Sequence, residues 1–438
     1  MASPLSVLPH DCWEMIVSSI GGYRHLEALS LVSSHFLHIT NHLRRSLTVS
    51  SPRFLSSILR RFPNLTHITI RNRQDILPFS LNYVLIQVAD LCPNIETLDI
   101  SSQGEFPLTG LLHIARKNRR LKKLDCSSLN CLTDSHLAVI GSSFPHLEEL
   151  DICHPLVTEP TDSGLIKLSS GLKNLRKLDI SGNVFFSDRG LVALFSNCPL
   201  LSDLAIRSCG FFSQGVIASI VDSCKQLHTI STDLITIDAL PFARNLNSLN
   251  LYKCPISDKM LLTISDSRLP LKQVTLSHCN SFSFSGLFHL LSSYPHLEHL
   301  NLKSTRFLND HSIVELAQFF TKLIQINLSL CPHLTPFSIL HISKSSPFLK
   351  QIKSHHINLS SRTLISSIDP ISPNFTPEFL DLSSCDNLND ASLTAVSLSL
   401  PNLLRLDVSE CPNVSGEGIR EVLRNCGRMK WLEMSHCE

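Results

Sequence analysis

Apolar residues recur along the chain in one short sequence motif, L-x-x-L-x-L-x-x-C/N, which is called the repeat phrase below. It reads LRKLDISGN from Leu175, LIQINLSLC from Leu323 and LLRLDVSEC from Leu403. Alternation of apolar and polar residues with a period of two indicates a short strand with one buried face. Leucine-type residues then recur with helical spacing, as in DRGLVAL from Asp188 and DASLTAV from Asp390. The pattern predicts strands that alternate with helices.

The phrase is a repeat. Its first leucine-type position recurs from Leu65 to Met429, most often after 26 residues, within the range of leucine-rich repeats. One strand and one helix cannot bury an apolar face alone, whereas stacked copies can. The sequence therefore predicts an α/β fold, a horseshoe-like leucine-rich-repeat solenoid with one strand and one helix in each unit of about 26 residues. We expect the aspartate that opens many helical segments, such as Asp134 and Asp310, to be the N-cap.

The cysteines follow the same register. Eleven of the fifteen lie either eight residues after the first leucine-type position or three residues before the next one. Such recurrence is typical of small residues that fill buried turns. No C-x-x-C pair accompanies them, and we expect neither a disulfide framework nor a metal site.

Composition limits the classes of function. Hydrophobic residues make up 43% of the chain, which excludes general disorder. The formal net charge is +1, which argues against a dedicated partner among nucleic acids or anionic membranes. We found no secretory signal, no long apolar span and no catalytic or nucleotide-binding motif. We therefore expect a protein of the nucleus or cytoplasm that is not an enzyme and needs no cofactor.

The chain divides into three parts by pattern. Residues 5–45 predict three short helices, and residues 46–64 predict a linker and N-terminal cap of the solenoid. Residues 65–438 carry the repeats. A three-helix unit of this size has little core of its own, so its apolar faces need a partner or the solenoid.

The N-terminal part resembles a known family. The pattern of Leu8-Pro9-x-Asp11, followed by Leu26-x-x-Leu29-x-x-Val32, looks like an F-box. The family's usual Val-Cys-Lys-x-Trp is replaced here by Val-Ser-Ser-His-Phe. With its cysteine-containing repeats as well, the chain is similar to F-box/leucine-rich-repeat proteins, and its sequence looks most like that of plant members.

The resemblance implies the substrate receptor of an SCF-type ubiquitin ligase. In that family the F-box binds a Skp-type adaptor, which joins a cullin, and the repeats capture a target protein. The receptor itself contributes proximity and not chemistry. The adaptor-facing residues implied by position are Leu8, Pro9, Ile16, Leu26, Leu29 and Val32. Ile16, Leu29 and Val32 could instead hold the three helices together.

A target is expected on the concave face, which the polar positions of the strands line. Counted from the first leucine-type residue, these are positions +2, +4 and +6. Position +4 holds four successive aspartates, Asp99, Asp125, Asp151 and Asp179. They form either an acidic strip for a basic target segment or a set of partners for neighbouring turns. Other candidate contacts depart from the repeat phrase, namely Arg207, Tyr252, Lys303, Lys353, His355, Arg405 and Trp431. Trp431 could be an interface anchor or a packed end of the solenoid.

Two questions stay open at this stage. The basic run Arg116–Lys123 is either a nuclear localisation signal, an anion contact or a solvated surface. The function could also be that of a hormone co-receptor of the same family, in which a small molecule completes the interface, or that of a non-ligase interaction scaffold. An apolar surface that stays exposed on the first helices would favour docking over capping.

Overall fold

The computed structural model describes residues 9–20, 23–71, 81–157, 159–210, 212–213, 215–216, 220, 226–233, 244–357 and 377–437. The chain forms two compact units, Met1–Val216 and Ile217–Glu438. None of the helices described has both the length and the apolar character that crossing a membrane requires.

Three helices open the first unit. They are α1 (His10–Ile20), α2 (Tyr23–Ser30) and α3 (Ser34–Leu43). Val17, Phe36 and Ile39 form their small core, and the edge of the Trp13 ring meets Phe36 with the ring centroids 5.3 Å apart. Ser33 caps α3 because its hydroxyl accepts a hydrogen bond from the Phe36 N–H.

The rest of the first unit is a stack of repeats. Its strands pair in parallel and in chain order: β1 (Ser46–Val49), β2 (His67–Ile70), β3 (Thr97–Asp99), β4 (Lys123–Asp125), β5 (Glu149–Asp151), β6 (Lys177–Asp179) and β7 (Asp203–Ala205). The helices between them are α4 (Leu55–Arg61), α5 (Leu81–Leu91), α6 (Leu108–Lys117), α7 (Asp134–Ser143), α8 (Asp162–Gly171) and α9 (Asp188–Asn197). Ser46 of β1 aligns with His67 of β2. Residues 46–64, expected to be a linker and cap, therefore contain a strand and a helix that form the first repeat.

The second unit continues the same alternation. Its strands, again parallel and in chain order, are β8 (Thr229–Thr232), β9 (Ser248–Tyr252), β10 (Gln273–Ser277), β11 (His299–Asn301), β12 (Gln325–Asn327), β13 (Gln351–Lys353), β14 (Phe379–Asp381), β15 (Arg405–Asp407) and β16 (Trp431–Glu433). The described helices are α10 (Asp258–Asp266), α11 (Phe284–Ser293), α12 (Asp310–Leu316), α13 (Pro336–Ser345), α14 (Asp390–Ser399) and α15 (Gly416–Asn425). The predicted α/β leucine-rich-repeat solenoid is confirmed.

The leucine-type positions of the phrase form the core. In the repeat that begins at Leu175, Leu178 and Ile180 are also buried, and the residues between them point to the other side of the strand. Pro377, which replaces the first leucine of its repeat, is buried as well. The side of each strand that carries positions +2, +4 and +6 is called the outward face below.

A left-handed turn follows the strand in the described repeats from that of Ile95 onwards. The residue at position +7 has a φ between 51° and 79° in all described repeats from that of Ile95 onwards. These residues are Ser102, Ser128, His154, Gly182, Ser208, Lys253, His278, Ser304, Leu330, His356, Ser384, Glu410 and His436. At position +8 the recurring cysteines are hydrogen-bond donors: Cys331 Sγ donates to the Leu302 carbonyl at 3.4 Å, and Cys411 Sγ donates to Leu382 at 3.2 Å. Neighbouring turns are thereby joined.

The expected role of the helix-opening aspartates is wrong in one respect. The N-cap is the residue before each of them, as at Thr161 and Ser187, whose hydroxyls accept hydrogen bonds from backbone N–H groups in the first turn. Asp134 and Asp162 are the first helical residues, and their carboxylates accept hydrogen bonds from the N-cap residue of the next repeat. The sequence pattern correctly located the start of each helix. It could not predict these hydrogen bonds, because they join residues of different repeats that lie far apart in the sequence.

Candidate protein-binding surfaces

The N-terminal helices expose apolar side chains. Ile16 and Val32 are 42% and 62% exposed, and Pro9 is exposed as well. Leu26 and Leu29 are partly buried and pack against the core of the three helices. Of Ile16, Leu29 and Val32, for which a role in holding the helices together was the alternative, only Leu29 packs in this way, and Leu26 does so as well.

Two further apolar residues were missed by sequence reasoning. Met15 is 72% exposed on α1, and Leu31 is 88% exposed in the turn after α2. Leu31 directly precedes Val32, at a position for which the pattern Leu26-x-x-Leu29-x-x-Val32 specifies no residue type. Leu8, the remaining candidate of this group, lies outside the described residues. The exposed set Met15, Ile16, Leu31 and Val32 is called the apolar docking set below.

The four aspartates at position +4 lie side by side in register. Asp99 aligns with Asp125, Asp125 with Asp151, and Asp151 with Asp179. All four carboxylates are half-buried. Strand spacing places successive members about 5 Å apart, so they form a ladder across β3 to β6.

One oxygen of each of these carboxylates belongs to the turn that follows. Oδ1 of Asp125 accepts hydrogen bonds from the Ser127 N–H at 2.9 Å and from the Ser127 hydroxyl at 2.7 Å. Asp99, Asp151 and Asp179 accept the N–H two residues later in the same way. The geometry therefore supports the role of these aspartates in local turns. The second oxygen of Asp179, Oδ2, lies 3.8 Å from Arg207 Nη2.

Asp151, Cys153 and Asp179 bring three potential ligand atoms within 4.8 Å of one another. Burial raises the pKa of the Asp151 carboxyl, with a further increase from Asp179 and Asp125. Burial also raises the pKa of the Cys153 thiol, and the neighbouring Asp151 adds to this. Both shifts favour the protonated forms, whereas a metal ligand has to be deprotonated.

The candidates of the second unit fall into two groups. Tyr252, Lys303 and His355 occupy position +6 of the repeats of β9, β11 and β13, and Lys353 lies at position +4 of β13. The Tyr252 ring meets His278 edge to face, with the centroids 5.5 Å apart. These residues belong to alternate repeats, those of β9, β11 and β13, on one outward face.

The second group lies at position +2 of the last three strands. Phe379 aligns with Arg405, and Arg405 with Trp431. The Arg405 guanidinium lies over the Phe379 ring at 5.2 Å. Trp431 is half-buried. Sequence reasoning missed Phe379 because its neighbour Pro377 obscured the repeat phrase there.

The basic run Arg116–Lys123 is partly engaged in ion pairs. Lys122 Nζ lies 3.4 Å from Glu148, and Lys123 Nζ lies 3.1 Å from Glu149. Lys117 lies 3.8 Å from Asp90. Exposed pairs of this kind contribute little stability, and they are consistent with the solvated surface.

Comparisons with known proteins agree with this architecture. A family model described as a leucine-rich repeat matches residues 171–195, which hold β6 and most of α9. The chain is 28% identical to F-box/LRR-repeat protein 4 of Bos taurus over 145 residues, 32% of this chain and 22% of that protein. It is 23% identical to F-box protein SKIP1 of Arabidopsis thaliana over 181 residues, 41% of this chain and 56% of that protein.

These matches support an F-box/leucine-rich-repeat protein. It matches about a fifth and just over half of the length of these two relatives. Among solved structures, it is similar to a chain of the crystal structure of the Rad7 and Elc1 complex in yeast, with a TM-score of 0.51 and 18% identity over 95% of this chain and 96% of that chain. At this identity the likeness of the chain to that structure shows the fold alone.

Proposed function

We propose that this F-box/leucine-rich-repeat protein is the substrate-recognition subunit of an SCF-type ubiquitin ligase. Its F-box would bind a Skp-type adaptor and, through it, a cullin, and the outward face of the repeats would bind the target protein. The chain would contribute no catalytic group and would act in the nucleus or cytoplasm. The names of its two curated relatives support this assignment, and the Arabidopsis relative supports a plant-type member.

The apolar docking set carries the proposal. Met15, Ile16, Leu31 and Val32 are between 42% and 88% exposed, although a module of three short helices has few apolar residues to spare. If the helices only capped the solenoid, these side chains would be expected to pack against it. Exposed apolar groups on so small a module are typical of a protein interface.

Three of the buried cysteines are unsuited to thiol chemistry. Burial raises the pKa of Cys331 and Cys426 to about 11, and that of Cys385 to about 12. A transthiolating ligase needs a thiolate near neutral pH. These thiols are protonated there, and those of Cys331 and Cys385 serve as hydrogen-bond donors to the preceding repeat.

The small-molecule alternative gains no comparable support. A groove of about 1020 Å³ in the second unit is lined by Leu269, Tyr294, Lys322 and Phe348, among others. It lies beside the loops that enter β10 to β12, at the opposite ends of the strands from the position +6 residues. A ligand there would not complete the outward face.

The test is adaptor binding by the full chain. The double variant Leu31→Asp, Val32→Asp should lower the affinity for a Skp-type adaptor at least about tenfold, because two apolar contacts are lost. Leu398→Asp is a matched control, since Leu398 is 62% exposed on α14. Circular dichroism confirms that each variant folds.

Two results would contradict the proposal. Failure of the intact chain to bind any Skp-type adaptor is the first. The second is an equal loss of affinity in Leu398→Asp, which would show that the measured binding does not depend on the F-box.

A further inference from the structure

Five consecutive repeats of the second unit carry no carboxylate on their outward side. Positions +2, +4, +6 and +7 of the repeats of β9 to β13 contain lysine, histidine and neutral residues but neither aspartate nor glutamate. The corresponding positions of β14 to β16 are acidic again, at Asp381, Asp407 and Glu433. The neutral and basic stretch is therefore bounded sharply within one unit.

Three lysines and four histidines lie at these positions, and the lysines carry the charge of the stretch. Lys253, His278, Lys303, Lys353 and His355 are called the cationic face below. Among the described residues, no carboxylate lies within ion-pair distance of the three lysines. Two lysines of the first unit differ in this respect. Lys123 Nζ and Lys177 Nζ lie 3.1 and 3.4 Å from the carboxylate oxygens of Glu149.

The members of the cationic face are near enough to influence one another. Lys303 lowers the pKa of both His278 and His355, in each case after the larger effect of burial. Lys253 also lowers the pKa of His278. The one acidic contribution at His355 comes from Asp381, whose Oδ1 accepts two hydrogen bonds from Ser383. The lysines thus disfavour the protonated forms of both histidines, which shows that the positive charge of Lys303 reaches the repeats on either side of it.

The backbone fixes these side chains in place. Asn301 aligns with Asn327, and Asn327 with Lys353. The parallel hydrogen bonds continue past the strand ends, since the His278 N–H donates to the Lys303 carbonyl at 2.9 Å and the Leu330 N–H donates to His355 at 2.9 Å. Lys303 of the β11 repeat and Lys353 of the β13 repeat therefore lie two strand spacings, about 10 Å, apart across the sheet.

A hydroxyl without a partner lies within the same row. Ser329 occupies position +6 between Lys303 and His355. It is fully buried, and its Oγ makes no hydrogen bond within the described part of the chain. An unsatisfied buried hydroxyl is costly, and this one lies in the row between Lys303 and His355.

We propose that the cationic face binds a polyanionic segment of the target protein, one that presents several carboxylates or phosphate groups in succession. This inference rests on the proposed role as a substrate receptor and adds the chemical class of the segment recognised. Lys303 and Lys353 are the central contacts, with Lys253 at one margin and His355 beside them. Both kinds of anion accept charge-assisted hydrogen bonds from ammonium groups.

A protein segment fits this face better than a nucleic acid does. Proteins that bind single-stranded nucleic acid without sequence preference stack its bases on aromatic side chains. At positions +2, +4, +6 and +7 of these five repeats, Tyr252 is the one aromatic ring other than histidine. The chain also has a formal net charge of only +1, whereas a phosphate backbone selects a strong basic excess.

Fluorescence anisotropy with the full chain tests the proposal. The probes are an oligoglutamate peptide, a phosphoserine peptide and an oligoglutamine peptide, all of one length, and a single-stranded oligonucleotide. We expect at least one anionic peptide to bind, with an affinity that falls as salt rises, and the oligoglutamine peptide not to bind. Comparing the two anionic peptides distinguishes carboxylates from phosphates as the preferred source of charge.

Variants locate the binding site. The double variant Lys303→Gln, Lys353→Gln should lower the affinity at least about tenfold, and the charge-retaining pair Lys303→Arg, Lys353→Arg should keep most of it. Lys123→Gln, which removes an ion-paired lysine of the first unit, should change the affinity less than about twofold. Circular dichroism again confirms folding.

Three outcomes would overturn the proposal: anionic peptides that bind no better than oligoglutamine, an equal loss in Lys123→Gln, or an oligonucleotide that binds more tightly than both peptides. Adaptor binding is measured on the same samples. Loss of peptide binding with adaptor binding intact would remove this inference alone, and the reverse result would remove the receptor role.

Discussion

Asp162 of α8 accepts two hydrogen bonds from Ser187, the N-cap of α9 in the next repeat. The Ser187 N–H donates to Oδ1 at 2.8 Å, and the Ser187 hydroxyl donates to Oδ2. The same arrangement recurs at Asp134 with Thr161, Asp258 with Ser283, Asp310 with Thr335 and Asp390 with Ser415. One carboxylate thus joins two helix starts, which makes it a connection between repeats.

Replacement of this carboxylate should weaken the stack. We expect Asp162→Ala to lower the free energy of unfolding by about 1–2 kcal/mol, because two hydrogen bonds to a charged group are lost. Asp386→Ala, at an exposed aspartate that does not open a helix, is the control and should cost less than about 0.5 kcal/mol. Urea denaturation measures both, and equal midpoints would show that the carboxylate does not join the repeats.

The close approach of α7 and α8 depends on glycine. A Cβ added to Gly171 would overlap the carbonyl oxygen and carbon of Gly141. The backbones would have to separate, so we expect Gly171→Ala to lower the free energy of unfolding by about 3 kcal/mol.

Gly416→Ala is the matched control for this change. It places a methyl group where no atom lies within 4 Å and should change stability by less than about 1 kcal/mol. Thermal unfolding compares the two variants. A Gly171→Ala protein as stable as the control would show that α7 and α8 can separate without cost.

The left-handed turn at position +7 predicts a stabilising substitution. Ser128 has a φ of 55°, and a non-glycine residue in that conformation costs roughly 1–2 kcal/mol. Ser128→Gly should therefore raise the free energy of unfolding by up to about 1 kcal/mol. Gly182 already occupies the same position of its own repeat, with a φ of 79°. Ser128→Val should lower it by about 1–2 kcal/mol. If urea midpoints fall equally in both variants, the turn strain is absent.

Stability should fall on acidification. The His136 ring stacks on Phe106 with the centroids 4.1 Å apart, and burial lowers its pKa from the ordinary 6.5. The unfolded chain therefore binds more protons than the folded chain near that value, so the free energy of unfolding decreases as the pH drops from 7.5 to 5.5.

A variant assigns part of this pH dependence to one residue. His136→Phe keeps a ring on Phe106 and removes the titrating group. Its loss of stability between these two pH values should be smaller than that of the native chain, as measured by urea denaturation at each pH. Parallel profiles for the two proteins would mean that His136 makes no contribution.

Much of the fold could be predicted because the repeat phrase acts through burial. Each L-x-x-L-x-L segment has one set of residues that must leave water, which determines the strand, its inner face and its place in the stack. The turn at position +7 could not be predicted, because serine, histidine and leucine carry no signal for a positive φ. Contacts between repeats, such as those of Asp162 and Cys331, join residues that are far apart in the sequence.

The candidate site was less predictable for a related reason. The resemblance gave Leu29 and Val32 the same expectation, because the pattern does not show which of its apolar positions face the core, and the two residues have different environments. The four aspartates of position +4 were equally consistent with a binding strip and with local turns. Only the hydrogen bonds from residues such as Ser127 show that one oxygen of each is occupied.

The most direct measurement is the assembly of the full chain with a Skp-type adaptor and a cullin, followed by size-exclusion chromatography with light scattering. We expect one complex that contains each protein once, and we expect Leu31→Asp, Val32→Asp to leave the adaptor and cullin together without the chain. If the native chain elutes alone while the adaptor and cullin elute together, the receptor role is contradicted.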